Sequence, residues 1–378
     1  MTDPHPDPVP LSRPATGEAE LAAVADVLAS GWLAGQGPQG ALLEAGFAAL
    51  SGRAHAVAVN NATAGLHLAV SALGLGPGDE VVVADYTFPA TAHAVLYAGG
   101  VPRFADVLPG TGTLDPDAVR AAITPRTRGI IGVDTLGVPA DWNALQAVAS
   151  EHGVWLVEDA ACSTGGRYDD RPCGAFGDVA VFSLHARKGI TSGEGGVVVT
   201  DSEETAARIR RASCFGMRSA FVRQDSPRLE IPEFADLGHN YKLSDVLAAI
   251  ARVQLGRLPD LLTAREDHAD RYADLLRDVA GITAPTVPAD RRSTWQTYAV
   301  TVDHEVDRDA TVMALRARGI GANIGTYSLH AQPVYGDSHT SCPVSDDLFR
   351  RHLALPMFHD LTAAQQDRVV EELAAVLA

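Results

Sequence analysis

Residues 182–196 read Phe182-Ser-Leu-His-Ala-Arg-Lys188-Gly-Ile-Thr-Ser-Gly-Glu-Gly-Gly196. An apolar strand, Val179–Ser183, runs into a lysine. A glycine-rich turn follows, and a second apolar strand, Gly196–Thr200, leaves it. A lysine held in a crevice at the end of a buried strand gives up its proton readily, and its amine can then bond a carbonyl carbon. The glycines let the backbone pass close to a bulky ligand. An ordinary lysine in a hairpin loop reads the same way, so this stretch alone leaves the two open.

Working upstream, Gly153-Val-Trp-Leu-Val-Glu-Asp159 is another apolar strand, ending on two acids. Ligands of open α/β sheets collect at the carboxyl edge, where Asp159 can pair with a cationic ring nitrogen or cap the following helix. Glu158, one residue away, is expected to turn to the opposite face. Asn60-Asn-Ala-Thr63 opens a helix, and free N–H groups at such a turn suit a phosphate, although helix caps of this kind are common. Asp85-Tyr-Thr-Phe88-Pro-Ala-Thr91 places an aromatic at a strand-to-helix turn, where Phe88 can stack on a planar ring or fill the core.

Short apolar runs predict strands at Val57–Val59, Glu80–Ala84, Val101–Phe104, Gly129–Val133, Val154–Val157, Val179–Ser183 and Gly196–Thr200. Helical patterns at Thr63–Leu73 and Thr91–Tyr97 lie between the first of them. Alternation of this kind signals α/β layering, and the unbroken Val/Ile/Leu runs suit strands covered on both faces. Beyond about residue 245 the pattern changes. A helix over Val246–Leu258, continuing through Leu276, leads to a strand at Thr297–Val302, a helix at Arg308–Arg318 closed by Gly319, and a last helix at Leu361–Leu377. The division expected is a loose arm over 1–16, a large α/β domain over 17–245, and a smaller α+β domain over 246–378 joined through the long helix.

The 378 residues carry 30 Lys plus Arg against 47 Asp plus Glu, a net charge of −17 that argues against nucleic acid or an anionic membrane surface as partner. Any basic site must be local. No apolar run approaches the ~18 residues of a membrane span. The first residues show no secretory pattern. Cys162, Cys173, Cys214 and Cys342 form neither a disulfide framework nor a zinc motif, so no metal is expected and the location expected is the cytoplasm. The first strand runs into Asn60-Asn-Ala-Thr and lacks the Gly-x-Gly-x-x-Gly of a dinucleotide-binding dehydrogenase. No Walker A loop, H-E-x-x-H or nucleophile elbow is present.

Taken together and in order, these pieces resemble the DegT/DnrJ/EryC1/StrS sugar aminotransferases. The likeness spans nearly the whole chain: Ser30-Gly-Trp32-Leu-Ala-Gly35, Gly78-Asp-Glu-Val, Glu158-Asp-Ala-Ala, Thr191-Ser-Gly-Glu-Gly-Gly196, Gly238-His-Asn240-Tyr-Lys-Leu-Ser-Asp, Gln254-Leu255, Leu329-His330-Ala-Gln332-Pro and Leu355-Pro-Met357. The resemblance implies the fold type I architecture, with a large, mixed, mostly parallel seven-stranded sheet, helices on both faces and a smaller C-terminal domain. It implies pyridoxal 5'-phosphate as cofactor, passing through pyridoxamine phosphate. Lys188 matches the lysine that holds the cofactor covalently and shuttles the proton. Asp159 matches the partner of the ring nitrogen, Phe88 the stacking ring, and Ala62, Thr63 and Ser183 the phosphate site. Asn240 matches an asparagine reaching the phosphate of the neighbouring subunit, which implies a homodimer. Trp32, Arg187, Tyr327 and His330 match the substrate side.

The implied reaction moves an amino group from L-glutamate to a nucleotide-linked keto sugar, C4 of a dTDP-4-keto-6-deoxyhexose, in deoxyaminosugar biosynthesis. A ketocyclitol acceptor is the alternative, and a non-catalytic sensor on the same fold is disfavoured because Lys188 is present. Three positions depart from the family pattern. Cys162 stands where Gln or His is common near the ring oxygen. Asp134-Thr-Leu-Gly137 replaces a His-Leu-Tyr/Phe-Gly-like turn. Lys242 replaces an arginine and reads as a surface charge.

Overall fold

The computed structural model describes residues 7–217, 231–336 and 340–378. Seven strands form the larger sheet: β1 (His55–Val59), β2 (Glu80–Ala84), β3 (Val101–Ala105), β4 (Thr127–Val133), β5 (Trp155–Asp159), β6 (Val179–Ser183) and β7 (Gly196–Thr200). Their order is β1-β7-β6-β5-β4-β2-β3. Only β7 runs against its neighbours, pairing antiparallel with β1 and β6, and the other pairings are parallel. The seven strands expected from the apolar runs are the seven strands of this sheet. Alternation of side chains sorts the runs onto two faces. Val81, Val83, Ile131, Val157, Val181 and Val198 pack on one. Val82, Ile130 and Leu156, and further along Ala180, Phe182 and Val199, pack on the other.

Helices cover both faces. On the first lie α3 (Ala62–Ala72) and α4 (Ala90–Tyr97), flanked by α7 (Glu203–Ser213). The Asn61 side chain caps α3 by accepting from Ala64 N–H at 2.8 Å. The second face holds α2 (Pro38–Ser51) and α8 (Asp245–Gly256) at one end, and α5 (Pro116–Ala122) and α6 (Trp142–His152) at the other. The preceding helix, α1 (Glu18–Ser30), packs on α8. Neither α1 nor α2 shows an apolar stripe in the sequence, and Leu21, Leu28 and Leu42 face outward.

The long helix expected over 246–276 is two helices, because α8 stops at Gly256 and α9 runs Leu258–Leu275. Pro259 is the cause. It lacks an N–H, and its ring collides with the carbonyl four residues back. Ala248, Ala251, Leu258 and Leu261 pack with the large sheet, whereas Ala269 and Tyr272 pack with the second core, so the crossing lies within α9. That second core surrounds an antiparallel sheet of β8 (Ile282–Thr283), β9 (Tyr298–Val302), β10 (Asn323–Ile324) and β11 (His352–Leu355), in the order β8-β9-β11-β10. Against it lie α10 (Arg308–Ala317) and α12 (Ala363–Leu377). α11 (Pro343–Arg351) packs instead beside Tyr86–Thr87 and the far end of the large sheet.

The stretch expected as a loose arm is pinned from Val9 onward. Val9 is buried in the small core and bridges Ile320. Leu11 O accepts from Met357 N–H, and Ala15 O accepts from Gln254 and Arg257. A Cβ at position 321 would stand 2.3 Å from Leu11 N, so only glycine lets this strap pass. The proline-rich composition suggested freedom, but the anchoring partners are more than 200 residues away in the chain.

Candidate active site

The carboxyl ends of β4, β5 and β6, the start of α3 and the turn before α4 surround a cleft of ≈ 260 Å³. Asp159 ends β5 inside it, 4% exposed. Its Oδ2 accepts from Thr91 Oγ1 at 2.8 Å and its Oδ1 from Ala161 N–H at 3.2 Å. Burial pushes the Asp159 carboxyl above its ordinary value, against the pull of those two donors and of the Lys188 charge. Glu158 turns to the opposite face, as alternation along a strand requires. It accepts there from Gly174 N–H and Phe176 N–H.

Lys188 reaches into the same cleft from the turn after β6, its Nζ donating to Cys162 Sγ at 3.0 Å. Phe88 also lines it yet is 61% exposed, a large ring standing at the wall with little covering it. At the start of α3, Asn61 Oδ1 takes the Ala64 N–H and Asn61 O takes the Gly65 N–H. That leaves the first-turn amides of Ala62 and Thr63 facing a ligand side, with Ser183 on the adjoining wall. A Cβ at position 196 would lie 2.8 Å from Ala62 N, so glycine there is what lets the helix start approach β7.

These features fit a phosphorylated, cationic heteroaromatic ring. The helix N-terminus suits the phosphate, and the half-bare Phe88 suits the ring face. Buried Asp159 forms no ion pair among the described residues and suits a protonated ring nitrogen. Lys188 supplies an amine.

The structure gathers Ala62, Thr63, Phe88, Asp159, Cys162, Ser183, Arg187 and Lys188 around one cleft. Five residues singled out from the sequence are placed elsewhere. Asn240 is exposed on the segment bridging Cys214, and its Oδ1 accepts from Lys242. Lys242 also sits 4.4 Å from the Phe215 ring, outside the cleft lining. Trp32 packs by Gly37 and Asp245. Tyr327 stands at the rim, edge-on to Phe88 at 6.1 Å. His330 turns its ring to Asp85. The sequence reading missed Thr91, His185, Glu194, Gln296 and Thr297, of which all but Thr91 line the cleft. Thr91 was legible, since three residues past Phe88 one helical turn returns to the same wall. Gln296 and Thr297 come from the strand edge of the second sheet, and no local pattern points to them.

Sheet order and cleft together define the fold type I class of pyridoxal-phosphate enzymes. The chain belongs to the DegT/DnrJ/EryC1/StrS aminotransferase family, whose pattern matches residues 14–374. Solved structures agree. The aminotransferase TlmJ from Streptoalloteichus hindustanus is 36% identical, covering 98% of each chain, with a TM-score of 0.91. DesV of S. venezuelae, solved in complex with a ketimine intermediate, is 33% identical over 97% of this chain and 98% of that one, with a TM-score of 0.88. The PMP-form of the putative sugar aminotransferase Spr1654 from Streptococcus pneumoniae is 26% identical over 97% and 98%, with a TM-score of 0.92. The protein is a pyridoxal-phosphate-dependent sugar aminotransferase.

Proposed function

We propose that the chain transfers an amino group from L-glutamate to C4 of a nucleotide-linked 4-keto-6-deoxyhexose, with the dTDP sugar as the first candidate. The observation that carries this reading is Arg187. Among the described residues lining the cleft it is the one fixed cation besides Lys188, and it is exposed at the mouth. A diphosphate needs such a charge on a chain of net −17, whereas an uncharged ketocyclitol does not. The Thr191-Ser-Gly-Glu-Gly-Gly196 turn, with Glu194 on the cleft wall, supports the same branch by resemblance.

In this reading Lys188 Nζ would hold the cofactor and, once released, would move the donor's α-proton as base and acid. Bound pyridoxal phosphate supplies an electron sink for the charge left behind. Asp159 keeps the ring nitrogen protonated, fixed by Thr91 and the Ala161 N–H. Phe88 covers the ring, and Ala62, Thr63 and Ser183 hold the phosphate. The Cys162 thiol, a weak hydrogen-bond partner, takes the place beside the ring oxygen. Arg187 meets the substrate's negative charge, with Tyr327 beside Phe88 at the rim as a further substrate-side residue.

Two further inferences accompany this one. A second copy of the chain completes each site, with Asn240 reaching the neighbour's phosphate. Exposed Phe88, Tyr97, Phe215, Phe234 and Leu237 support an interface that a single copy leaves bare. Four free cysteines, and the absence among the described residues of a helix long and apolar enough to cross a membrane, suit the cytoplasm.

The test is spectroscopic. L-Glutamate should bleach the band of the lysine-linked cofactor, and dTDP-4-keto-6-deoxyglucose should restore it. Lys188→Ala should never form that band. Arg187→Ala should raise the KM for the sugar nucleotide about tenfold or more, in line with a lost charge-assisted contact. Restoration by a ketocyclitol and not by the sugar nucleotide would overturn the acceptor assignment.

A further inference from the structure

Asp85 follows β2 and is fully buried. Its Oδ1 accepts from His330 N–H at 2.6 Å, and its Oδ2 from His330 Nδ1 at 2.8 Å and from Ser345 Oγ at 2.5 Å. Ser328 Oγ stands 3.0 Å from the same Oδ2 and 2.9 Å from Asp346 Oδ1. One hydroxyl carries one proton, so Ser328 can serve only one of these carboxylates at a time. The imidazole Nδ1–H and the Ser345 hydroxyl are therefore the side-chain donors committed to Asp85, and taking one from a buried carboxylate is costly.

What this pair anchors matters for the cleft. The Asp85 carbonyl accepts from Leu329 N–H, and the chain then forms a two-residue ribbon in which Tyr86 pairs with Ser328 and Thr87 with Tyr327. So short a ribbon is marginal without an anchor. It is also the strip from which Phe88 and Tyr327 emerge, ring edge to ring face at 6.1 Å. Further on, the Thr87 hydroxyl lies 3.4 Å from that of Thr91, which donates to Asp159.

We propose that His330 is a positioning residue: by saturating buried Asp85 it fixes the ribbon that sets Phe88, and through Thr87 and Thr91 the Asp159 carboxylate, against the cofactor ring. This rests on the reading of Phe88 as the stacking ring, and it gives His330 a role distinct from touching the sugar.

The experiment uses holoenzyme and four variants: His330→Ala, His330→Asn, Phe88→Ala and the His330→Ala/Phe88→Ala double variant. Readouts are the dissociation constant for pyridoxal phosphate, the visible circular dichroism per bound cofactor, KM and kcat. His330→Ala should weaken cofactor binding about tenfold, the scale of one hydrogen bond to a charged group. It should also shrink the dichroism and lower kcat more than it raises the sugar KM. His330→Asn, whose amide N–H can stand in for Nδ1, should recover most of the loss. It also keeps the question open to test if the alanine variant fails to fold. Coupling through Phe88 should make the double variant clearly less than additive.

A rise in sugar KM with cofactor affinity and dichroism unchanged would overturn the proposal in favour of a substrate contact. Loss of thermal stability alone, or full additivity, would overturn it as well. If Phe88→Ala leaves cofactor binding and dichroism untouched, the stacking reading fails and this proposal with it. If Phe88→Ala is impaired and His330→Ala is not, this proposal fails alone.

Discussion

Adjacent residues of one strand end in two different acidic sites. On the cleft face Asp159 accepts from one hydroxyl and one amide, with the Lys188 charge within reach and an open wall in front. On the opposite face Glu158 meets Asp134, both fully buried, with the Cys173 thiol close by. There Glu158 takes the Gly174 and Phe176 amides. Asp134 takes the Ala140 amide, the Trp142 indole N–H at 3.0 Å and the Ser163 hydroxyl at 2.5 Å. Burial raises all three carboxyls, and mutual repulsion raises Glu158 further. The difference lies in what remains unsatisfied. The Asp134–Glu158 pair has spent its oxygens on scaffold donors, and burial with mutual repulsion favours protonation over a second charge there. Asp159 faces the open cleft and forms no ion pair among the described residues, so it keeps capacity for a cationic ligand. A perturbed carboxyl marks function only where an opening and an unmet need accompany it.

Substitutions can break this contrast. Lys188→Ala should have the largest effect, lowering transamination by about 10²–10⁴-fold as expected for loss of a positioned acid–base group, with thermal stability near wild type. Next is Asp134→Ala. It strands the Trp142 N–H and the Ala140 amide in the core, and should cost about 2–4 kcal/mol in denaturant unfolding while the folded fraction keeps its cofactor. Asp159→Asn should do the reverse, slowing turnover about 10- to 100-fold by removing a charged partner, with little change in stability. If Asp134→Ala instead abolished cofactor binding in folded protein, the two faces would be coupled and the contrast lost. Thr91→Val comes next, with about a fivefold loss of turnover from the one donor it removes from Asp159.

How far this was legible beforehand divides along the same lines. Every strand of the large sheet was visible, because strands buried on both faces leave unbroken apolar runs such as Val81–Val83 and Val197–Val199. Lys188, Asp159, Phe88 and the Asn61–Thr63 turn were visible because each sits within a few residues of a strand end. Helices α1 and α2 were not, since their alanine-rich faces carry leucines outward and show no stripe. The break between α8 and α9 was written plainly as Pro259 but outweighed by the apolar rhythm around it. The Asp85–His330 contact and the cleft's Gln296 wall join residues far apart in the chain, and no local periodicity encodes them.

The smallest expected effect is also the sharpest. Asn at position 134 keeps an acceptor oxygen for the Ala140 amide and the Trp142 indole, and its Nδ2 can donate to Glu158 in place of the retained proton. Asp134→Asn should therefore fold with wild-type stability, within about 1 kcal/mol near neutral pH. The sign of its pH dependence follows from the raised carboxyls. A group whose folded pKa lies above its unfolded value contributes stability that is complete below the unfolded value, about 4 for a carboxyl, and is lost as pH rises through the folded value. The wild-type pair should thus lose stability as pH climbs. The Asn variant carries its proton permanently and should lose less, so the stability difference should move in its favour with every step upward in pH. Urea unfolding of both proteins across the range from pH 5 to pH 9, with Glu158 ionised against an amide in one and against a carboxylate in the other, decides it. Parallel curves would mean that the pair retains no proton, and that the closed site is stabilised by its five scaffold donors alone.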